Sequence, residues 1–247
     1  MYIVTKIMGI LNLTPDSFWE PSRYALDVLE SGADIVDMGA VSTRPGAPEV
    51  SLEEEWRRLE PVLKMLDGSV PVSIDTTRSE IVRRAFDLIG PFTVNDVSAG
   101  LSDPSILPLA GRLSLPFVAM HSRGTPSTMD SLTLYKGGFL KSILAYFRDF
   151  SIRAECAGVS EWILDPGFGF AKTASQNRYL VDHLEVFGEF GRPVLAGLSN
   201  KRFTSGRTEE YHLRALRHGA SILRVHDVEA ARRTVSEFAR MSMFQKI

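Results

Sequence analysis

The stretch VPVSIDTTRSEIVRRAFDLIGPFTVND, residues 70–96, decides the fold. A β-branched run, VPVSID, ends at Asp75; RSEIVRRAFDLI follows with helical spacing; a second run, FTVND, ends at Asn95 and Asp96. Strand, helix and strand in that order make a crossover unit with parallel strands. The same unit recurs in both directions along the chain. Strand-like runs stand at 7–11, 34–39, 70–75, 92–96, 116–121, 161–165, 193–198 and 221–226, eight in all. Eight parallel strands are the number that closes into a barrel.

The segments between the runs support this reading. SLEEEWRRLEPVLKML begins with Ser51 as a helix cap, carries acidic residues in its first turn and repeats apolar residues at helical intervals. KSILAYFRDFSIRAECAG, ASQNRYLVDHLEVFGEF, EYHLRALRHGA and EAARRTVSEFARMSMF have the same character. PSILPLAGRL, with its second proline, predicts a helix of only about two turns. No linker or low-complexity tract divides the chain, so residues 1–247 are expected to form a single (β/α)8 TIM barrel domain. An open doubly wound sheet is the alternative.

Hydrophobic residues at 44% and charged residues at 23% allow a sizeable core without metals or disulfides. A net charge of -2 argues against a polyanion-binding surface and leaves room for one small anionic ligand. Nucleic acid is therefore not expected as a partner, nor is a membrane, because no apolar segment approaches the roughly 20 residues that a span requires. Cys156 is the single cysteine, which fits a reducing, cytoplasmic setting. The segment MYIVTKIMGIL is interrupted by Lys6 and ended by Asn12, unlike a signal peptide.

Sites of such barrels lie at the C-terminal strand ends. Those ends carry Asn12, Ser42-Thr43-Arg44, Asp75, Asn95-Asp96, His121, Asp165, Ser199-Asn200-Lys201 and Arg224-His226-Asp227. Asp75, Asn95 and Asp165 suit a planar heterocycle offering neighbouring amino and ring N–H donors, because an ionised carboxylate accepts two such bonds in a fork. Arg44, Lys201, Arg224 and His226 suit an anion, and they come from loops that become neighbours when a barrel closes. A polar turn or a solvated basic residue is the plain structural alternative at each position.

MGILNLTPDSF, GADIVDMGAVSTRPGA, SIDT, VNDVSAG, AMHSRGTPSTM, ILDPGFGFAKT, SNKR and LRVHDV occur in the order and near the spacing of the dihydropteroate synthase family, which the chain resembles over nearly its whole length. The resemblance implies a pterin-binding barrel. Its reaction joins 6-hydroxymethyl-7,8-dihydropterin diphosphate to 4-aminobenzoate and releases diphosphate, a step of folate biosynthesis. By motif match, Asn12 would ligate a Mg²⁺ carried by the diphosphate, and Asp75, Asn95 and Asp165 would hold the pterin, with Asp96 and Lys201 close by. Thr43 and Arg44 would lie on a loop that helps close the site. Arg224 and His226 would bind the leaving diphosphate, and Phe18 and Pro45 would flank the aminobenzoate ring. On this reading Lys201, Arg224 and His226 carry the catalytic charge stabilisation.

The chain also departs from the family pattern. WEPSRY follows Asp-Ser-Phe, Val41 replaces a polar residue before Ser-Thr-Arg-Pro-Gly, and Asn200 stands where an arginine precedes the lysine. Arg202 stands where a serine meets the aminobenzoate carboxylate, which a guanidinium matches in a two-bond fork. The segment after Phe203 is short, which bears on the seventh helix and on a homodimer surface built near it. A diverged, non-catalytic pterin-binding paralogue and a folate-dependent methyltransferase are the rival readings.

Overall fold

The computed structural model describes residues 5–14, 27–42, 49–125 and 127–244. The strands are β1 Lys6–Asn12, β2 Ile35–Gly39, β3 Val72–Asp75, β4 Thr93–Asp96, β5 Phe117–Met120, β6 Trp162–Asp165, β7 Leu195–Ala196 and β8 Ile222–Val225. Helices α1 Leu52–Leu63, α2 Ser79–Ile89, α3 Ile106–Arg112, α4 Phe139–Ala157, α5 Ala174–Val181, α6 Thr208–Arg217 and α7 Val228–Phe244 pack around them. Each strand pairs in parallel with its sequence neighbour from β1 to β6, β1 also pairs with β8, and β8 pairs with β7. The remaining seam carries one bridge, Leu164 to Val194, with the Leu164 N–H donating to Pro193 O at 2.9 Å. The result is a nearly closed eight-stranded barrel, as the crossover repeat predicts.

Strand alternation sorts the residues into two cores. Outward positions such as Val36, Met38, Ile74, Val94, Phe117 and Leu164 pack under the helices in the main core. Inward positions Met8, Ile35, Val118, Leu195 and Ile222, with Ile163, form a separate apolar plug inside the barrel. Inward positions nearer the C-terminal ends are polar instead: Asp37, Asp75, Asn95, Asp165 and Arg224. The plug seals the barrel below, and the site begins where it stops.

Local chemistry explains the helix limits. Ser51 Oγ accepts the Glu54 N–H at 3.2 Å at the start of α1, whose first turn holds Glu53, Glu54 and Glu55. Gly90 ends α2 at φ 76°, a left-handed conformation that favours glycine. The helix after β4 has seven residues, in line with its predicted two turns. The stretch 174–190, predicted as one helix, divides into α5 and a 3-10 helix Leu184–Phe190; between them Asp182 turns its carboxylate to Arg214 of α6. Helix α6 is present despite the short segment before it. Trp162 packs against Phe147, Phe150 and Phe190, as expected of a structural tryptophan. Truncating the fully buried Phe147 to alanine should cost about 3–5 kcal/mol. Among the described residues no helix is long and apolar enough to cross a membrane.

Candidate active site

Five strands each deliver a polar side chain to the C-terminal part of the barrel interior, four of them charged and the fifth the Asn95 amide. Arg224 of β8 donates from Nε to Asp37 Oδ2 of β2 at 2.7 Å and from Nη2 to Asp75 Oδ2 of β3 at 2.9 Å. Asn95 of β4 directs Nδ2 to both oxygens of Asp37, at 3.2 and 3.1 Å. Asp37 is fully buried, whereas Asp75 keeps some exposure at the floor of a cleft of about 100 Å³. That cleft is also lined by Asn95, Asp165, Lys201, Arg224 and His226, with Met120, Phe168 and Phe170 as apolar walls. Asp165 and Lys201, distant in sequence, thus face one space.

The electrostatics follow from burial. The Asp75 carboxyl is pushed up to about 7, because desolvation and the nearby carboxylates of Asp37 and Asp96 outweigh the pull of Arg224. Burial also raises Asp165, opposed by the Gly167 N–H at 2.8 Å and by the charges of Arg224, Lys201 and Lys172. Lys201 is drawn down to about 8 by burial, with Asp165 opposing, and its Nζ lies 5.0 Å from the centre of the Phe170 ring. The Arg224 guanidinium is held above its ordinary value by Asp37 and Asp75 despite its burial. A floor of carboxylates next to basic groups can accept N–H donors from a flat ring and hold an anion at the ring's edge.

The remaining predicted residues fall into three groups. Asn12 ends β1 opposite Gly39 of β2, half-buried, and His226 stands exposed at the end of β8, 3.4 Å from Asn200 Nδ2. Arg202 opens the short turn Arg202–Thr204 with its side chain exposed, while Phe203 beneath it is buried. Asp96, expected close by the pterin contacts, stands on the face of β4 opposite Asn95, near enough to raise the Asp75 carboxyl, and its buried carboxylate accepts the Ser98 and Gly100 N–H groups at 2.7 Å each. It shapes the loop rather than lining the cleft. Phe18, Thr43, Arg44 and Pro45 lie outside the described residues. Ser122, which carried no assigned role, donates to Val97 O at 3.0 Å and pins its loop.

Asp37 and Lys172 went unassigned from sequence. The strand-end rule passes over Asp37 because it sits in mid-strand, yet a carboxylate inside the buried run IVDMG is the signal that finds it. Lys172 lies in the quoted ILDPGFGFAKT, but a lysine in a loop looks solvated until its burial is known.

A sequence model described as pterin binding enzyme matches residues 8–226. A dihydropteroate synthase of Synechocystis is 40% identical, the alignment spanning 92% of this chain and 86% of the relative. The Escherichia coli dihydropteroate synthase is 37% identical over 90% of this chain and 86% of its own length. Among solved structures, the Yersinia pestis dihydropteroate synthase with a sulfonamide drug complex superposes with a TM-score of 0.90 at 30% identity, covering 98% of this chain and 96% of that one. The Xanthomonas albilineans enzyme with 4-aminobenzoic acid gives 0.87 at 35% identity, covering 97% and 93%. With strand ends, polar floor and whole-length similarity in agreement, the chain belongs to the dihydropteroate synthase family of pterin-binding enzymes.

Proposed function

We propose that the cleft holds a dihydropterin against its carboxylates and discharges diphosphate toward the basic rim, so that 4-aminobenzoate takes its place. The observation that carries this reading is the single cleft shared by Asp75, Asn95 and Asp165 with Lys201, Arg224 and His226. The pterin methylene loses its C–O bond to diphosphate and gains a C–N bond to the arylamine, which then sheds a proton. Negative charge builds on the leaving oxygen, and Lys201, Arg224 and His226 stabilise it. Positive charge builds on the pterin, and the Asp165 carboxylate next to it lowers that cost. No covalent nucleophile is required. The arylamine is neutral near pH 7, and positioning accounts for much of its activation.

Asn12 is a hard, neutral oxygen donor at the rim, and no cluster of three His, Cys, Asp or Glu side chains forms among the described residues. That donor set fits a Mg²⁺ that arrives with phosphate oxygens and keeps most of its shell from them and from water. When bound, the ion supplies charge neutralisation to diphosphate. Arg202 is assigned to the aminobenzoate carboxylate, Phe18 and Pro45 to the aminobenzoate ring, and Thr43 and Arg44 to closing the site. The exposed, unpaired Cys156 supports a reducing, cytoplasmic setting, and a homodimer is the assembly in keeping with the family resemblance.

The test is incubation with pterin diphosphate, 4-aminobenzoate and Mg²⁺ while following dihydropteroate. Product formation is expected. Retained pterin binding without diphosphate release would instead assign the chain to non-catalytic pterin-binding proteins. An Asp165→Ala variant should lose measurable pterin binding; near-normal calorimetric affinity would contradict the assignment of that carboxylate.

A further inference from the structure

Lys172 is buried without a carboxylate at ion-pair distance among the described residues. Its Nζ donates to Gly167 O at 2.9 Å and to Phe170 O at 3.1 Å, and lies 2.9 Å from His121 Nδ1. An ammonium has three N–H groups and meets three acceptors here. His121 is itself buried, and desolvation keeps its ring neutral. Its Nδ1 therefore accepts from the ammonium while Nε2 carries the ring proton. If the amine is neutral, its two N–H groups still serve the carbonyls and its lone pair accepts from an Nδ1–H tautomer. The contacts persist in either protonation state.

The loop bound in this way has an improbable path. Gly167, Gly169 and Ala171 alternate in left-handed conformations, at φ 71°, 82° and 50°. Added side-chain bonds hold it: Tyr135 Oη donates to Ala171 O at 3.0 Å, and Asn177 Nδ2 donates to Lys172 O at 3.2 Å. Lys172 grips the two carbonyls that matter most to the cleft. The Gly167 N–H holds the Asp165 carboxylate, and Phe170 supplies the wall over which Lys201 lies.

We propose that Lys172, braced by His121, is a positioning residue that sets the aim of Asp165 and of the Phe170 ring at the pterin site. The proposal rests on the reading of Asp165 as a pterin contact. It acts through the loop, without touching substrate.

The test uses Lys172→Met, which keeps the stem and removes the donors, together with His121→Asn and His121→Leu. Asparagine places an oxygen acceptor near the site of Nδ1; leucine places none. For Lys172→Met, the dissociation constant for 6-hydroxymethylpterin and the KM for pterin diphosphate are expected to rise at least about tenfold, the scale of one weakened hydrogen bond to a charged group. The KM for 4-aminobenzoate should change much less. His121→Asn should stay close to wild type, and His121→Leu should shift in the direction of Lys172→Met. Wild-type pterin affinity in folded Lys172→Met, an equal rise in both KM values, or identical behaviour of the two His121 variants would overturn the proposal. Should Lys172→Met fail to fold, the His121 pair decides alone. Asp165→Ala separates the two levels: loss of pterin binding there with none in Lys172→Met sinks only this proposal, whereas retained binding in Asp165→Ala sinks the underlying reading and this proposal with it.

Discussion

Asp37→Asn and Asp75→Asn are predicted to act in opposite directions on stability, although the two carboxylates grip the same guanidinium. Asp37 is fully buried and accepts from Arg224 Nε, from Arg224 Nη2 and from Asn95 Nδ2. Replacing it by the amide removes the charge that compensates buried Arg224, a loss of about 3 kcal/mol at the lower end for a broken buried pair. In a chain of this size that corresponds to a fall in Tm of about 6–12 °C. Asp75 is the reverse case. Its carboxyl titrates at about 7 in the fold and near the ordinary carboxylate value of about 4 when unfolded, so the folded state favours its protonated form. Below about pH 4 both states are protonated and the group contributes nothing; between about pH 4 and 7 it ionises in the unfolded chain first and progressively destabilises the fold; above about 7 the penalty is constant. Asp75→Asn should therefore melt with wild type at pH 4 and at or above it at pH 7, while losing pterin affinity. Thermal melts across pH, paired with pterin calorimetry, measure both halves. A lower Tm for Asp75→Asn at pH 7 than at pH 4 relative to wild type, or an unchanged Tm for Asp37→Asn, would refute the division into supporting and ligand-facing carboxylates.

Three further outcomes follow from the same geometry. The kcat/KM profile for pterin diphosphate should be bell-shaped, rising as Asp75 ionises near 7 and falling as Lys201 loses its proton near 8; Lys201→Arg, which stays charged, should remove the alkaline limb even if its plateau is lower. Arg202→Ser should raise the KM for 4-aminobenzoate by about tenfold, the scale of one charge-assisted hydrogen bond, with a smaller effect on pterin diphosphate; an equal effect on both would remove the carboxylate assignment. Gly167→Ala should lower Tm and pterin affinity together, because its Cβ would stand 2.0 Å from His121 O at a φ of 71°, and a normal affinity would show that the loop has another way to hold Asp165.

The barrel was legible because its signal is repeated: eight β-branched runs separated by helical spacing leave few other ways to pair, and the observed strands fall inside the predicted runs apart from single-residue extensions at each end of β1. Strand ends were legible for the same reason, since the rule that places sites there needs only the strands. What lay deeper was not. The role of Asp37 depends on Arg224, which lies 187 residues away in sequence and meets it only across the closed barrel. Asp96 shows the converse. It adjoins Asn95 in the quoted motif, but strand alternation turns neighbours to opposite faces, and the period of two that identified the strand also separates their roles. Lys172 was hidden by loop geometry, because three left-handed residues bend the chain back on its own carbonyls.

On the proposed function, the state of the floor gives a reason for a pterin to bind in this cleft. Burial holds Asp75 and Asp165 toward their protonated forms and Lys201 toward its neutral one, so each is kept away from the charge state that the reaction uses. A ring that presents N–H donors to the carboxylates, and a diphosphate that presents negative oxygens to Lys201, relieve both penalties at once. A ligand carrying only one of those features relieves only one. The supporting groups differ in kind: Asp37 has spent its lone pairs on Arg224 and Asn95, and Asp96 has spent its own on a loop, so neither gains from the ligand. Selectivity for a flat donor-rich ring joined to an anion thus arises from which carboxylates the fold leaves facing the cleft with accepting capacity to spare, and the number of acidic residues near the cleft is a poor guide to it.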